Sequence, residues 1–334
     1  MKTNFEHHQA AHCENGVTSN LFQFYGLNLS EPMVFGIGGG IFFMHLPFIK
    51  VNNAPGTTFR PMPGTIFKRN ASYFGIKYKR LTFNSPEKAQ KKLDEMLEQG
   101  KPVGLQVGVF HLPYFPVEYR FHFNAHNIVV FGKEGNTYLI SDPVMETTTT
   151  ITEEELARVR FAKGAFAPKG QMYYPEYIPH ISDDKIRGGI KKGIKHSAFF
   201  MNAPGPIIGV NGIRYISKKV RGYKEKLGDR KAGLYLGQLV RMQEEIGTGG
   251  GGFRYLHAAF LEEAYGYIPN EDLLRLSEQF TKSGDLWRQF ASQAAAIYRG
   301  RITTQEAFDQ AADILLEVAE IEKQAFRKSA KLKF

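Results

Sequence analysis

The spacing of apolar and polar positions divides the 334-residue chain into two parts of different character. From Glu14 onward Val17, Leu21, Phe22 and Phe24 recur at near-helical spacing and Gly26 supplies a stop, so Cys13 is expected at or just before a helix N-terminus. The next stretch, EPMVFGIGGGIFFMHLPF, is too glycine-rich for a helix and reads as strand or loop, with Gly38, Gly39 and Gly40 allowing close backbone approach. YFGIKYKRLTF alternates like a strand, after which Ser85 and Pro86 form an N-cap and first-turn pair for a helix that ends at Gly100. PVGLQVGVF reads as a buried strand. HNIVVFG and NTYLISDP read as two short strands joined by a polar turn containing Gly132 and Gly135. A short helix is predicted over Ile151–Ala162. Mixed elements with consecutive strands make this part α+β.

The stretch AFAPKGQMYYPEYIP is rich in Pro and Gly and marks a boundary. Beyond it the periodicity is helical in DDKIRGGIKKGIKHSAFFM, KAGLYLGQLVRMQEEIG, FRYLHAAFLEEAYG, EDLLRLSEQFTKSGDLWRQFASQAAAIYRG and TTQEAFDQAADILLEVAEIEKQAFRKSAK. At 37.8 kDa the chain fits two domains. The expected organisation is an α+β domain over 1–165, a linker over 166–183 and a helical domain over 184–334. No internal repeat is visible, and the sequence carries no signal of oligomeric state.

Composition adds constraints. One cysteine cannot form an internal disulfide, the first residues lack the apolar run of a signal peptide, and no stretch approaches a membrane span. The expected location is the cytoplasm, with no membrane span. A formal charge of +10 favours an acidic partner, and no nucleic-acid motif accompanies the basic segments KRNASYFGIKYKR, RGGIKKGIKH and ISKKVRGYKEK.

A thiol becomes a useful nucleophile when ionised, and a helix N-terminus stabilises the thiolate. The chemistry then needs a base held by a third group. If the turn in HNIVVFGKEGNTYLISDP is centred on Glu134, antiparallel partners sum to 268, and His126 lies opposite Asp142 on one face of the sheet. Cys13, His126 and Asp142 are therefore the candidate catalytic set. Each has a plainer alternative: a buried small side chain for Cys13, a satisfied core histidine for His126, a turn cap for Asp142. His7, His8 and His12 with Cys13 offer a metal alternative, but no second ligand cluster with zinc spacing appears, and no metal is expected. His7 and His8 read as a flexible tail. GTGGGGF before a helical run reads as a hinge or lid, with an anion-binding entrance assisted by Arg254 as the alternative.

The order of HCENGVTSNLFQFYGLNLSEPMVFGIGGGIFF, a helix ending LEQGKPVGLQV, then AHNIVVFG and YLISDP, resembles the family of the butirosin biosynthesis protein H N-terminal domain. That domain in turn resembles papain-like cysteine peptidases of the bacteriocin-processing type. The helical half, with GTGGGGFRYLHAAFLEEA and SGDLWRQF, is similar to the uncharacterised domain that usually follows it. The resemblance implies a papain-like fold and an acyltransferase. The donor would be the phosphopantetheine thioester of an acidic acyl carrier protein, the acceptor a small amine, and the enzyme itself would bind no cofactor. It assigns Cys13 as the acylated nucleophile, His126 as general acid and base and Asp142 as its orienting group. The family pattern has a Gln about six residues before the nucleophile as second oxyanion donor. Position 7 here is His, so Gln9 is the candidate for that role, with Arg254 a candidate substrate contact. Two rivals stay open: a cysteine peptidase or amidase using the same three residues, and a non-catalytic carrier-protein-binding protein.

Overall fold

A computed structural model describes residues 1–246 and 248–334. The chain opens with α1 (Cys13–Phe24) and α2 (Glu31–Ile37), followed by the strands β1 (Met44–Val51) and β2 (Ala54–Thr58). Next come α3 (Thr65–Phe74), β3 (Lys77–Leu81), α4 (Pro86–Glu98), β4 (Val103–Val107), β5 (His126–Glu134), β6 (Thr137–Ser141), β7 (Thr149–Thr152), α5 (Glu153–Arg160) and β8 (Met172–Tyr177). Six helices complete it: α6 (Asp183–Met201), α7 (Gly209–Arg221), α8 (Tyr223–Val240), α9 (Arg254–Tyr267), α10 (Glu271–Tyr298) and α11 (Gln305–Lys331). The chain forms two compact units, one of 1–34 with 63–181 and one of 35–62 with 182–334.

The first unit is α+β, as expected. Its six-stranded sheet runs β3-β8-β4-β5-β6-β7, and every pair is antiparallel. One core joins Leu93, Met96 and Leu97 of α4 and Leu156 and Val159 of α5 to Val103, Leu105, Val107, Ile128, Val130 and Ile140 of the sheet. The other large element is α1, whose residues Cys13 to Phe22 are all buried. A helix covered on every side has no apolar stripe to display, and its polar residues need internal partners. Three of them have one: Thr18 donates to Glu14 O, Ser19 to Leu29 O and Asn20 to His8 O. The predicted caps are present, with Ser85 Oγ accepting from Lys88 N at the start of α4 and a Thr152–Glu155 capping box opening α5.

Three expectations are revised. Residues 166–183, read as a linker, contain β8, which is paired on both sides between β3 and β4. Residues 35–62 group with the helical unit rather than with the domain expected over 1–165. The segment from Glu31 to Ile37, read as strand or loop, is helical because Ser30 caps it, its Oγ accepting from Met33 N, and Pro32 suits a first turn.

The second unit is mainly helical, with the β1–β2 hairpin as its only described sheet. Its interior holds Arg254, whose guanidinium lies over the rings of Trp287 and Phe59 and makes two 2.8 Å bonds to Glu322. Of the glycine run, Gly247 lies outside the described residues, while Gly249 to Gly252 all take positive φ. Gly250 N and Gly251 N donate to Thr248 Oγ1 and to the Glu244 carboxylate. The backbone donors at these two glycines are thus engaged by the protein's own side chains. Among the described residues, no helix is long and apolar enough to cross a membrane.

Candidate active site

Cys13 is the first residue of α1, and His12 is its N-cap: His12 Nδ1 accepts from Asn15 N at 3.3 Å. The sulfur therefore sits where the helix dipole favours an anion. The lead-in to the helix is fastened on both sides. Ala11 and His12 N–H groups each donate at 2.8 Å to the Glu31 carboxylate, and Ala10 N donates to Pro143 O. Burial pushes the Glu31 pKa up to about 7, with those two donors opposing the shift. His7, expected in a flexible tail, is docked. Its Nε2 faces Met145 O, which can only accept, so Nδ1 accepts from Ser141 Oγ at 2.8 Å.

His126 and Asp142 meet, by a route that differs from the predicted register. The β5–β6 turn is the two residues Gly135 and Asn136, with Glu134 opposite Thr137, so partners near the turn sum to 271. That register continued would put His126 and Asp142 on opposite faces. A β-bulge between Val130 and Gly132 shifts the pairing to 270, with Val129 opposite Ser141, and this returns both residues to one face as diagonal neighbours. The bulge is held by Thr3, whose N and Oγ1 both donate to Phe131 O. The result is a 2.7 Å contact from His126 Nε2 to Asp142 Oδ2.

Asp142 is 0% exposed and further held by Tyr114 OH at 3.0 Å on Oδ2 and Val144 N at 3.2 Å on Oδ1. The Phe115 ring lies against the imidazole. Burial disfavours the imidazolium, but the Asp142 charge and Cys13, which also hydrogen-bonds the ring, outweigh it and push the His126 pKa up to about 10. Since Asp142 holds Nε2, Nδ1 is the nitrogen left for the sulfur. Gly16, one turn into α1, allows the approach of the two elements: a Cβ there would lie 2.4 Å from Pro143 Cβ. Cysteine at the start of a buried helix, against an antiparallel sheet that carries histidine and aspartate, is a papain-like arrangement.

Residues 12–143 match the family described as "Butirosin biosynthesis protein H, N-terminal", and residues 154–328 match "Domain of unknown function (DUF4872)". The chain belongs to the second of these families, whose model spans more than half of it. No curated protein matches the chain in sequence. Among solved structures, one described as a C39-like peptidase from Bacillus anthracis aligns with a TM-score of 0.36 and 15% identity, over 54% of this chain and 100% of that one.

Of the residues predicted from sequence, Cys13, His126 and Asp142 are brought together. Gln9 is exposed and makes no hydrogen bond into the site. Arg254 is 0% exposed in the second unit, with its guanidinium committed to Glu322 and Gly252 O, which removes it as a substrate contact. Sequence reasoning missed Tyr114, Glu31 and the capping role of His12, and it missed Asn127, whose Nδ2 lies 3.9 Å from Cys13 Sγ. Only Asn127 carried a visible signal, as the polar neighbour of the candidate base. Among the described residues, no group of three or more His, Cys, Asp or Glu is placed to hold a metal ion.

Proposed function

We propose that this butirosin H-type protein is a cysteine-dependent acyltransferase of the cytoplasm, carrying an acyl group from a carrier-protein phosphopantetheine thioester to an amine. The observation that carries the cysteine-enzyme reading is the buried His126–Asp142 pair beside the helix-start thiol. The Cys13 thiolate attacks the thioester carbonyl, and the C–S bond to pantetheine breaks as His126 protonates the departing sulfur. The acceptor amine then attacks the Cys13 thioester. His126 takes its proton, and the thiolate leaves to restore the starting state.

Two features support transfer from a carrier. Cys13 and His126 are each only 5% exposed, and an acyl-enzyme destined for an amine benefits from exclusion of water. Residues 183–231 hold 13 Lys and Arg against 4 Asp and Glu, nine of the ten net positive charges, which suits an acidic carrier protein. The enzyme's own residues perform the steps, and the phosphopantetheine arm arrives on the donor.

Intact mass spectrometry after mixing with a panel of acyl-pantetheine thioesters tests this. The expected result is one acyl adduct, absent in Cys13→Ala and discharged by an amine acceptor as an amide. Discharge to free acid alone, with no amide for any amine, replaces transfer by hydrolysis, and an adduct that persists in Cys13→Ala removes the nucleophile.

A further inference from the structure

The site has one donor near the sulfur that the catalytic set above does not use. Asn127 follows His126 on β5 and is buried, with Nδ2 placed 3.1 Å from Ala125 O and 3.9 Å from Cys13 Sγ. Ala125 O can only accept, so the atom facing it is the amide nitrogen. The amide oxygen consequently faces the Tyr173 hydroxyl at 2.8 Å, and the phenol must be the donor. One amide hydrogen is taken by Ala125 O. The other is the one available to the sulfur at 3.9 Å, a long contact of the kind sulfur's large radius permits.

Tyr173 is fixed in its turn. It lies on β8 opposite Gly104 of β4, and a Cβ at Gly104 would fall 2.7 Å from the Tyr173 ring, so glycine opens the seat for the phenol. Phe67 stacks edge-on against the same ring and Arg80 lies over it. Burial raises the Tyr173 hydroxyl well above its ordinary value, which keeps it protonated as the donor this arrangement needs.

We infer that Asn127 is a further catalytic residue, donating its amide N–H to the Cys13 sulfur and stabilising the thiolate, and that Tyr173 is the positioning residue that aims it. The inference rests on Cys13 being the nucleophile.

Because Cys13 is the only cysteine, alkylation by iodoacetamide reports a single sulfur, and its rate against pH gives the midpoint for thiolate formation. Asn127→Leu is expected to raise that midpoint by about one unit, which slows alkylation roughly tenfold at pH values below the wild-type midpoint. The isosteric Asn127→Asp, placing a carboxylate by the sulfur, should raise it further. Tyr173→Phe should move it the same way by less, with alkylation about threefold slower below the midpoint. The other ionisable groups around this pair, His12 and Glu14 of α1, Arg80 of β3, His126 of β5 and Asp142 after β6, are the same in all three variants. Unchanged midpoints in folded Asn127→Asp and Asn127→Leu overturn the contact, and an unchanged Tyr173→Phe overturns the positioning role. Should Asn127→Leu not fold, the isosteric Asp variant and Tyr173→Phe decide. Acyl transfer that survives Cys13→Ala sinks the nucleophile reading separately, and the midpoints still report whether the amide touches the sulfur.

Discussion

Each unit buries an ion pair among the described residues, and the two differ in what is left over. Glu322 in the second unit takes two bonds from Arg254, one from Ser283 Oγ and one from Trp287 Nε1, while Arg254 also donates to Gly252 O. Both partners of this short pair are anchored on every side by groups of the fold. In the first unit Asp142 is equally enclosed, but His126 uses one nitrogen on it and keeps the other for a sulfur. Burial of charge is therefore common to a structural clamp and to a reactive centre. What separates them is whether a charged group retains bonding capacity directed at a nucleophile.

Breaking the first pair should show most in chemistry. Asp142→Asn keeps the shape, removes the charge, and is expected to lower turnover on the order of 10³-fold or more, measured by the rate of acyl-adduct formation. It should also flatten the alkaline limb of stability. The folded pKa of His126, about 10, lies above its ordinary 6.5, so its stabilising contribution is complete below about pH 6.5 and is lost as pH rises through 10. Urea midpoints at pH 6, 8 and 10 compare the two proteins, and equal slopes would count against the pairing.

Breaking the second pair should show in stability alone. Arg254→Met leaves Glu322 buried without its counter-ion and is expected to cost about 3–5 kcal/mol by urea unfolding. Adding Glu322→Leu should recover most of that loss, since two apolar groups tolerate the site better than one stranded charge. Cys13 alkylation per folded molecule should stay at the wild-type rate. A changed rate would make Arg254 more than a clamp.

The smallest effect is expected from Gly16→Ala. A helix gains up to about 1 kcal/mol from alanine over glycine, but the new Cβ overlaps Pro143 and Ala10, at a cost of about 1–3 kcal/mol. Net stability should fall by no more than about 2 kcal/mol, while adduct formation slows about tenfold as the start of α1 moves away from Asp142.

Elements with strong periodicity or caps, such as α4, α5 and the long helices, were legible because their local signals agree with their tertiary surroundings. β8 was not, because MYYPEY is buried on both faces of a paired strand and so does not alternate, and Pro175, which falls beside a register irregularity, reads as a breaker. The three catalytic candidates were found from the chemistry each could do. Their register was not, since the bulge at Phe131 depends on Thr3, 128 residues away. Arg254 misled because the glycines before it resemble an anion cradle, while its partner Glu322 lies 68 positions on. Gln9 was chosen by proximity to the thiol in sequence, and sequence distance does not set where a side chain points.

The offset in the β5–β6 ladder imposes an even-number rule on this hairpin. Adding or deleting a single residue between His126 and Asp142 would turn the carboxylate to the far side of the sheet, whereas a change of two would keep it facing the imidazole. Loop engineering around this hairpin should therefore proceed in steps of two.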